Sequence, residues 1–486
     1  MTPPEETLDP ENWDDLRALG HQMVDDMMSY LEGVRERPVW QPIPKEVRAS
    51  LEGAAPREPR ALPEVYAEFT RNILPHPMGN IHPRFWGWVI GTGSPSGALA
   101  EFLAATMNPN VGGGDQVAQL VEFQVLNWLK EIFGFPREAS GILTSGGSMA
   151  NFFGVATARN TRAEFDVRMK GMGAAPRKMV LFASTETHSS VIKAVEQLGL
   201  GREALIQIPV DDQFRMDLAV FEQRYAEAVA QGHYPFCVVA NAGTVNTGAF
   251  DDIEFLADFC AEKGMWLHVD GAFGALAALV PEAAGLVRGM ERADSLAFDL
   301  HKWMYMPIEV GCCLVRREPD HRKAFSLTPD YLSHAPGGLA AAETWLADYG
   351  LQLSRSFRAL KVWMLFNEHG LDKYARLIRQ NMEQMQYLAG LVTAEPRLEL
   401  LAPVPLNIVC FRYVSAKLDD AALNHLNEQI LVELQERGIA VPSNTLIKGK
   451  YAIRAANVNH RSRREDFDIL VKAVLEIGDR MTGTPL

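Results

Sequence analysis

Lys302 and Asp270 are the two residues whose type and setting point to chemistry. Lys302 lies in SLAFDLHKWMYMPIEVGCCLV, where one apolar run ends at His301-Lys302 and a second begins near Gly311. Asp270 closes another apolar run, MWLHVDGAFG. An amine at the end of one buried strand and a carboxylate at the end of another suit a pyridoxal phosphate (PLP) site. The lysine attaches the cofactor covalently, and the aspartate keeps the pyridine nitrogen protonated so that the ring accepts electrons. Taken singly, such a lysine is usually solvent-exposed and such an aspartate usually caps a helix.

Three further segments supply partners. In GILTSGGSMANFFGVATAR an apolar stretch turns on Ser145-Gly146-Gly147-Ser148 and opens a helix. Glycines admit an anion to the backbone amides, and the helix start offers unpaired N–H groups and a favourable dipole. His188, in THSSVIKA after the run MVLFAS, offers a flat imidazole to stack on a cofactor ring. Thr244 and Asn246, in NAGTVNTGAFDDI, either bond the cofactor's phenolic oxygen or a substrate carboxylate, or form a polar turn with Asp251-Asp252 as the helix cap.

These residues need a scaffold that brings strand ends together. From about residue 96, short apolar runs (MVLFAS, ALIQIPV, FCVVANAG, MWLHVDGAF) alternate with amphipathic helical segments. That alternation predicts a mostly parallel sheet covered on both faces, with ligands bound beyond the carboxyl ends of its strands. A helical stretch around FRALKVWMLFNEHG leads to a smaller C-terminal α/β region. The expected domains are an arm over 1–95, a large domain over 96–375 and a small domain over 376–486. The arm has a helix at DLRALGHQMVDDMMSYLEGV and a proline-rich stretch that cannot be one helix. It has little core of its own and is expected to pack on another domain or subunit.

Bulk properties narrow the function. At 486 residues the chain exceeds one usual core. The 47 Lys and Arg against 61 Asp and Glu, a net charge of −14, argue against nucleic acid. The five cysteines show no metal-ligand spacing and read as buried thiols of a reducing compartment. The acidic start MTPPEETLDPENWDD is unlike a signal peptide, and no run approaches the roughly 20 apolar residues of a membrane span. A cytoplasmic protein without metal is expected.

Glycine turn, HSSV, VDGAFG and DLHKW, in that order, resemble the group II PLP-dependent amino acid decarboxylases, the family of aromatic L-amino acid, histidine and glutamate decarboxylases. The resemblance spans nearly the whole chain, from the helix near Leu19 to the last helix. It implies the type I, aspartate aminotransferase-like PLP-dependent transferase fold and an intertwined homodimer. Position by position it makes Lys302 the cofactor lysine and Asp270 the pyridinium partner. Ala272 falls under the ring and His188 above it, and Gly147 and Ser148 hold phosphate with His301 alongside. Asp299 departs from the Asn of animal aromatic decarboxylases.

The same resemblance makes RKAFSLTPDYLSHAPGGLAAAETW a lid loop in which Tyr331 protonates the substrate carbon after carbon dioxide leaves, with water excluded. It aligns HPRFWGWVIGTGSP with the substrate pocket: Phe85, Trp86 and Trp88 as apolar walls, Thr92 and Ser94 for the carboxylate. Trp88-Val89-Ile90-Gly91 replaces the Tyr-Phe-Pro-Thr of animal relatives, and Asn108, Asn110 and Asp115 add polar groups. Decarboxylation of an aromatic L-amino acid (tryptophan, tyrosine or dihydroxyphenylalanine) is therefore expected. The alternatives are another amino acid substrate (histidine, diaminobutyrate or glutamate), oxidative decarboxylation to an aldehyde, which Tyr331 opposes, and a non-catalytic protein that has kept the fold.

Overall fold

Strands whose residues are apolar without interruption must be covered on both faces, and they are. The computed structural model describes residues 5–327, 336–342 and 344–483. The strands in chain order are β1 Phe85–Trp86, β2 Ser140–Thr144, β3 Met179–Ser184, β4 Leu205–Ile208, β5 Tyr234–Asn241, β6 Trp266–Asp270, β7 Ser295–Asp299, β8 Gly311–Val315, β9 Leu398–Leu400, β10 Ile408–Tyr413, β11 Val441–Ile447 and β12 Lys450–Ala456. Every residue of β2, β3, β6, β7 and β8 is buried.

The large sheet has the order β2-β8-β7-β6-β5-β3-β4. The pairs from β7 through β6, β5 and β3 to β4 are parallel, and β8 runs antiparallel to both β7 and β2. Six strands therefore point the same way, and β8 alone is reversed. The chain enters β8 directly after the short helix Leu300–Trp303, without a crossover helix to turn it round. Parallel pairing puts the ends of β2, β3, β5, β6 and β7 at one rim, and each expected cofactor residue follows one of these ends.

The second sheet has the order β1-β11-β12-β10-β9, antiparallel apart from β1 on β11. Its presence in the last third of the chain follows the expected small α/β domain, with two differences in how the chain builds it. Phe85–Trp86, from the segment expected to be an arm, is a strand of this sheet, with Phe85 opposite Val441. The helix Leu371–Ala394 runs through the expected boundary at 375/376. Its Ile378 packs in the large core and its Met385, Leu388 and Val392 in the small one. A single 24-residue helix thus serves both cores.

Near the N-terminus, the helix Trp13–Glu32 has no buried residue and exposes Trp13, Leu16 and Val24. The residues after it are fastened to the small domain: Arg35 donates to Asp466 and to the Arg461 carbonyl, and the Val39 N–H donates to Gly438.

Candidate cofactor site

Beyond the rim of the large sheet lies a cavity of about 290 Å³. Its walls include the turn Ser145–Ser148, His188, Asp270, Ala272, His301 and Lys302, and also Asn151, Ser190 and Asp299. The rim position of each is set by a strand: β2 delivers the turn, β3 His188, β6 Asp270 and β7 the Asp299–Lys302 group.

Asp270 is buried, and both of its oxygens are engaged. Oδ2 accepts from Asn151 Nδ2 at 2.8 Å and Oδ1 from the Ala272 N–H at 3.1 Å. The Lys302 Nζ lies 3.1 Å from Asp299 Oδ2, with the imidazole of His301 3.9 Å from the same oxygen. His301 Nδ1 also meets the Val310 carbonyl at 3.0 Å. Burial lowers the basicity of His301, and the Lys302 charge adds to this against Asp299.

His188 caps the helix Ser189–Gln197, its Nδ1 accepting from the Ser190 N–H. Desolvation pulls its pKa down, opposed by Asp270 and reinforced by Lys302, so the neutral, stackable imidazole is favoured.

The residues present fit PLP. The glycine turn leaves an anion cradle that a side chain would fill: a Cβ on Gly147 would stand 2.8 Å from Asp299 Oδ2 and 3.6 Å from the Ala272 Cβ. The 16-residue helix Gly147–Arg162 begins at that turn and directs free N–H groups into it. Amine, buried carboxylate, imidazole and anion cradle surround one space, which is the donor set that a phosphorylated pyridine aldehyde requires.

Other expected site residues are placed differently. Trp86 is fully buried in the small-domain core, stacked on Phe467 at 4.6 Å and donating to Ser462, so it does not wall a pocket. Adjacent strand residues point to opposite faces, which sends Phe85 to a small cluster with Val39 and Val441. Trp88 follows the strand at φ 51° and is 55% exposed. Thr244 is occupied within its own turn, bonded to Thr247 and to the Ala249 N–H. The Asn246 amide donates to Glu186 and accepts from Thr445. Neither lines the cavity; the polar-turn reading describes both, and Asp252 is the helix cap.

Thr92 is buried and donates to the Gly93 carbonyl, while Ser94 Oγ is buried without a partner among the described residues. Their segment nevertheless abuts the site. A Cβ on Gly91 would lie 1.9 Å from the His301 carbonyl oxygen and 2.5 Å from that of Lys302, so only glycine permits this approach. Asn108 is an exposed left-handed helix terminus, Asn110 braces the backbones of Gly112 and Arg355, and Asp115 is exposed. Tyr331 and the centre of the expected lid lie outside the described residues.

Two residues escaped the sequence reading. Asn151 faces the cavity from the first turn of its helix, and the signal was a buried amide one turn after the Gly147-Ser148 pair. Arg454, on β12, is buried and donates to the carbonyls of Trp88, Val245 and Asn246, stitching the Trp88 turn to the Thr244 turn. An arginine in the middle of the apolar run YAIRAANVN was its signal.

Comparison with known proteins agrees with this construction. Residues 44–414 match the pyridoxal-dependent decarboxylase conserved domain. The chain is 32% identical to the aromatic-L-amino-acid decarboxylase of Bacillus atrophaeus over 457 residues, covering 93% of each. It is 31% identical to the histidine decarboxylase of Drosophila melanogaster over 95% of this chain and 54% of that one. The crystal structure of Oryza sativa TDC with PLP and tryptamine superposes with a TM-score of 0.90 at 24% identity, covering 98% of this chain and all of that one. The chain belongs to the pyridoxal-dependent decarboxylases: it is a PLP-dependent carboxy-lyase acting on an amino acid, with the type I fold. The reading as a non-catalytic protein that has kept the fold is set aside. No described helix is long and apolar enough to cross a membrane.

Proposed function

We propose that this enzyme decarboxylates an aromatic L-amino acid, of the tryptophan, tyrosine or dihydroxyphenylalanine class, to the amine and carbon dioxide. The observation that carries the substrate class is Trp88. Its backbone is held from both sides, the main-chain N–H donating to Ser443 Oγ at 3.1 Å and the main-chain carbonyl accepting from Arg454 at 2.8 Å, while the indole is exposed. It sits on the segment whose Gly91 packs on the Lys302 backbone. An aromatic side chain on a backbone anchored in this way suits a flat substrate side chain.

PLP, when bound, supplies an electron-accepting ring conjugated to the substrate's α-carbon. The protein's own groups do the rest. Lys302 would hold the cofactor through its amine and yield that place to the substrate amine. Asp270, oriented by two N–H donors, would face the ring nitrogen and hold its proton. His188 and Ala272 would hold the ring, and Gly147 and Ser148, with His301, would hold the phosphate. Ser94, its hydroxyl unpartnered among the described residues, and Thr92 receive the substrate carboxylate. Tyr331 supplies the proton that replaces carbon dioxide.

The assembly is a homodimer. The apolar residues exposed on the helix Trp13–Glu32, and Leu99, Phe102, Leu103 and Met107 on the helix Pro95–Met107, support this reading because a second copy would cover them. All five cysteines are free and buried, which fits a reducing, cytoplasmic setting.

The test is a panel of L-amino acids with carbon dioxide and product measured together. An aromatic acid is expected to have the highest kcat/KM. Efficient turnover of histidine, glutamate or diaminobutyrate with no aromatic acid used would overturn the assignment.

A further inference from the structure

Behind Asp270 lies a chain of buried polar side chains that the proposed mechanism does not use. Trp266 Nε1 is 2.8 Å from Ser295 Oγ, which is 2.8 Å from His268 Nδ1. His268 Nε2 is 2.9 Å from Asn151 Oδ1. The Asn151 Nδ2 lies 2.8 Å from Asp270 Oδ2 and 2.9 Å from Ser190 Oγ, and Ser190 Oγ is 2.8 Å from His188 Nδ1. Trp266, Ser295, His268, Asn151 and Ser190 are all buried.

Donor and acceptor arithmetic gives this chain one direction. The Asn151 NH₂ group donates to Asp270 Oδ2 and Ser190 Oγ, so its Oδ1 accepts from His268 Nε2. The neutral imidazole then accepts at Nδ1 from Ser295 Oγ, which itself accepts from the Trp266 N–H. Ser190 in turn passes its hydroxyl proton to His188 Nδ1, which leaves the His188 proton on Nε2. Burial holds His268 down to about 4, so it stays neutral and keeps this polarity at ordinary pH.

The packing is built for the contact. A Cβ on Gly154, one turn along the helix from Asn151, would stand 2.3 Å from the His268 ring. Gly154 thus opens the socket that lets the imidazole reach the amide.

We propose that Asn151 is a positioning residue that orients both groups clasping the cofactor ring, Asp270 at its nitrogen and His188 on its face, and that Trp266, Ser295 and His268 fix its direction. This rests on the roles assigned above to Asp270 and His188. A carboxylate that loses one of its two donors is no longer held in one orientation, so it meets the ring-nitrogen proton less well.

The experiment uses holoenzyme reconstituted with PLP carrying ¹⁵N in its ring. Asn151→Leu keeps the volume and removes both amide functions, and Ser295→Ala cuts the chain far from the cofactor. The ring ¹⁵N signal is expected to move toward its unprotonated position in Asn151→Leu and part of the way in Ser295→Ala. Ser295→Thr, which restores the hydroxyl, should return it to the wild-type position. The kcat of Asn151→Leu should fall roughly 10- to 100-fold, the range seen when the groups behind a metal's ligands are removed, with KM nearly unchanged. Ring signals of both variants superimposed on the wild type would overturn the proposal. If Asn151→Leu does not fold, Ser295→Ala decides. Failure of the underlying reading looks different: borohydride would leave no pyridoxyl group on Lys302 of the wild type.

Discussion

Lys302 Nζ lies 3.1 Å from Asp299 Oδ2, whereas the other acid of the site, Asp270, is engaged by Asn151 and the Ala272 N–H. The two carboxylates of the site are therefore held differently, one beside the lysine and one by N–H donors. Asp299 also lies beneath the glycine turn, where a Cβ on Gly146 would be 3.7 Å from Oδ1. That oxygen is buried without a hydrogen-bond donor among the described residues.

A negative charge under a phosphate cradle opposes the phosphate. Asp299→Asn keeps the shape and removes the charge, so it should tighten PLP retention by up to about tenfold, which is roughly 1.4 kcal/mol. The cofactor-free protein should lose at most about 1 kcal/mol, because Lys302 is partly exposed. Fluorescence titration with PLP reads the first effect; weaker retention in the variant would place Asp299 among the groups that hold the cofactor.

The glycine turn depends on an ion pair behind it. Arg355 and Glu122 are paired with both side chains fully buried. Arg355 also donates to the Leu143 carbonyl, and Glu122 accepts from the Leu143 N–H, which fixes the end of β2 just before the turn. Arg355→Met leaves an uncompensated buried carboxylate and should cost about 3–5 kcal/mol. Adding Glu122→Leu should recover much of that loss. Urea midpoints for the two single variants and the double variant test this, and additive losses would mean that the two charges are not coupled.

How much of this was open to a reader of the sequence depends on where the chemistry sits. Asp270, Lys302, His188 and the turn before Met149 were legible because each ends an uninterrupted apolar run, and a parallel sheet gathers such ends at one rim. Trp86 misled because an aromatic beside a pocket motif reads as wall, whereas strand alternation sends it to the opposite face from Phe85. β11, VPSNTLI, was not recognised because its residues Asn444 and Thr445 are polar and only part of it is buried. The reversal of β8 depends on a connection too short for a crossover. Asn151 carries no motif at all: its role exists only because β6 places His268 opposite Gly154.

Acid should unfold the protein through its buried histidines. Burial lowers His82 and His268 to about 4 and His321 to about 3, against an unfolded value near 6.5. Their neutral forms stabilise the fold fully above pH 6.5. As pH falls toward 4 the unfolded chain takes up protons that the native state refuses, so stability declines. Each contributes on the order of 3 kcal/mol over that interval. His321 packs edge-on to Phe325, so His321→Phe should be accommodated and should flatten the fall of the urea midpoint between pH 6.5 and 4. A variant profile parallel to the wild type would show that His321 is protonated in the native state.

Tyr331 lies outside the described residues, so its role rests on the lid motif TPDYLSH and on proton bookkeeping. Loss of carbon dioxide leaves an electron pair that one proton must meet at the substrate's α-carbon. If the Tyr331 hydroxyl delivers it, Tyr331→Phe keeps the aromatic ring but withdraws the proton. Substrate binding and carbon dioxide release should then continue at a reduced rate, with kcat for amine down roughly 10²- to 10⁴-fold, the usual value of a positioned acid. The unprotonated carbon persists longer and becomes open to attack by dissolved oxygen, so aldehyde, ammonia and peroxide should appear in place of amine. Amine, aldehyde and carbon dioxide measured together decide the matter, since their ratio is independent of how much enzyme survives the substitution. An unchanged ratio removes Tyr331 from proton delivery. Abundant aldehyde from the wild type would instead mean that this chain is an oxidative decarboxylase despite its tyrosine.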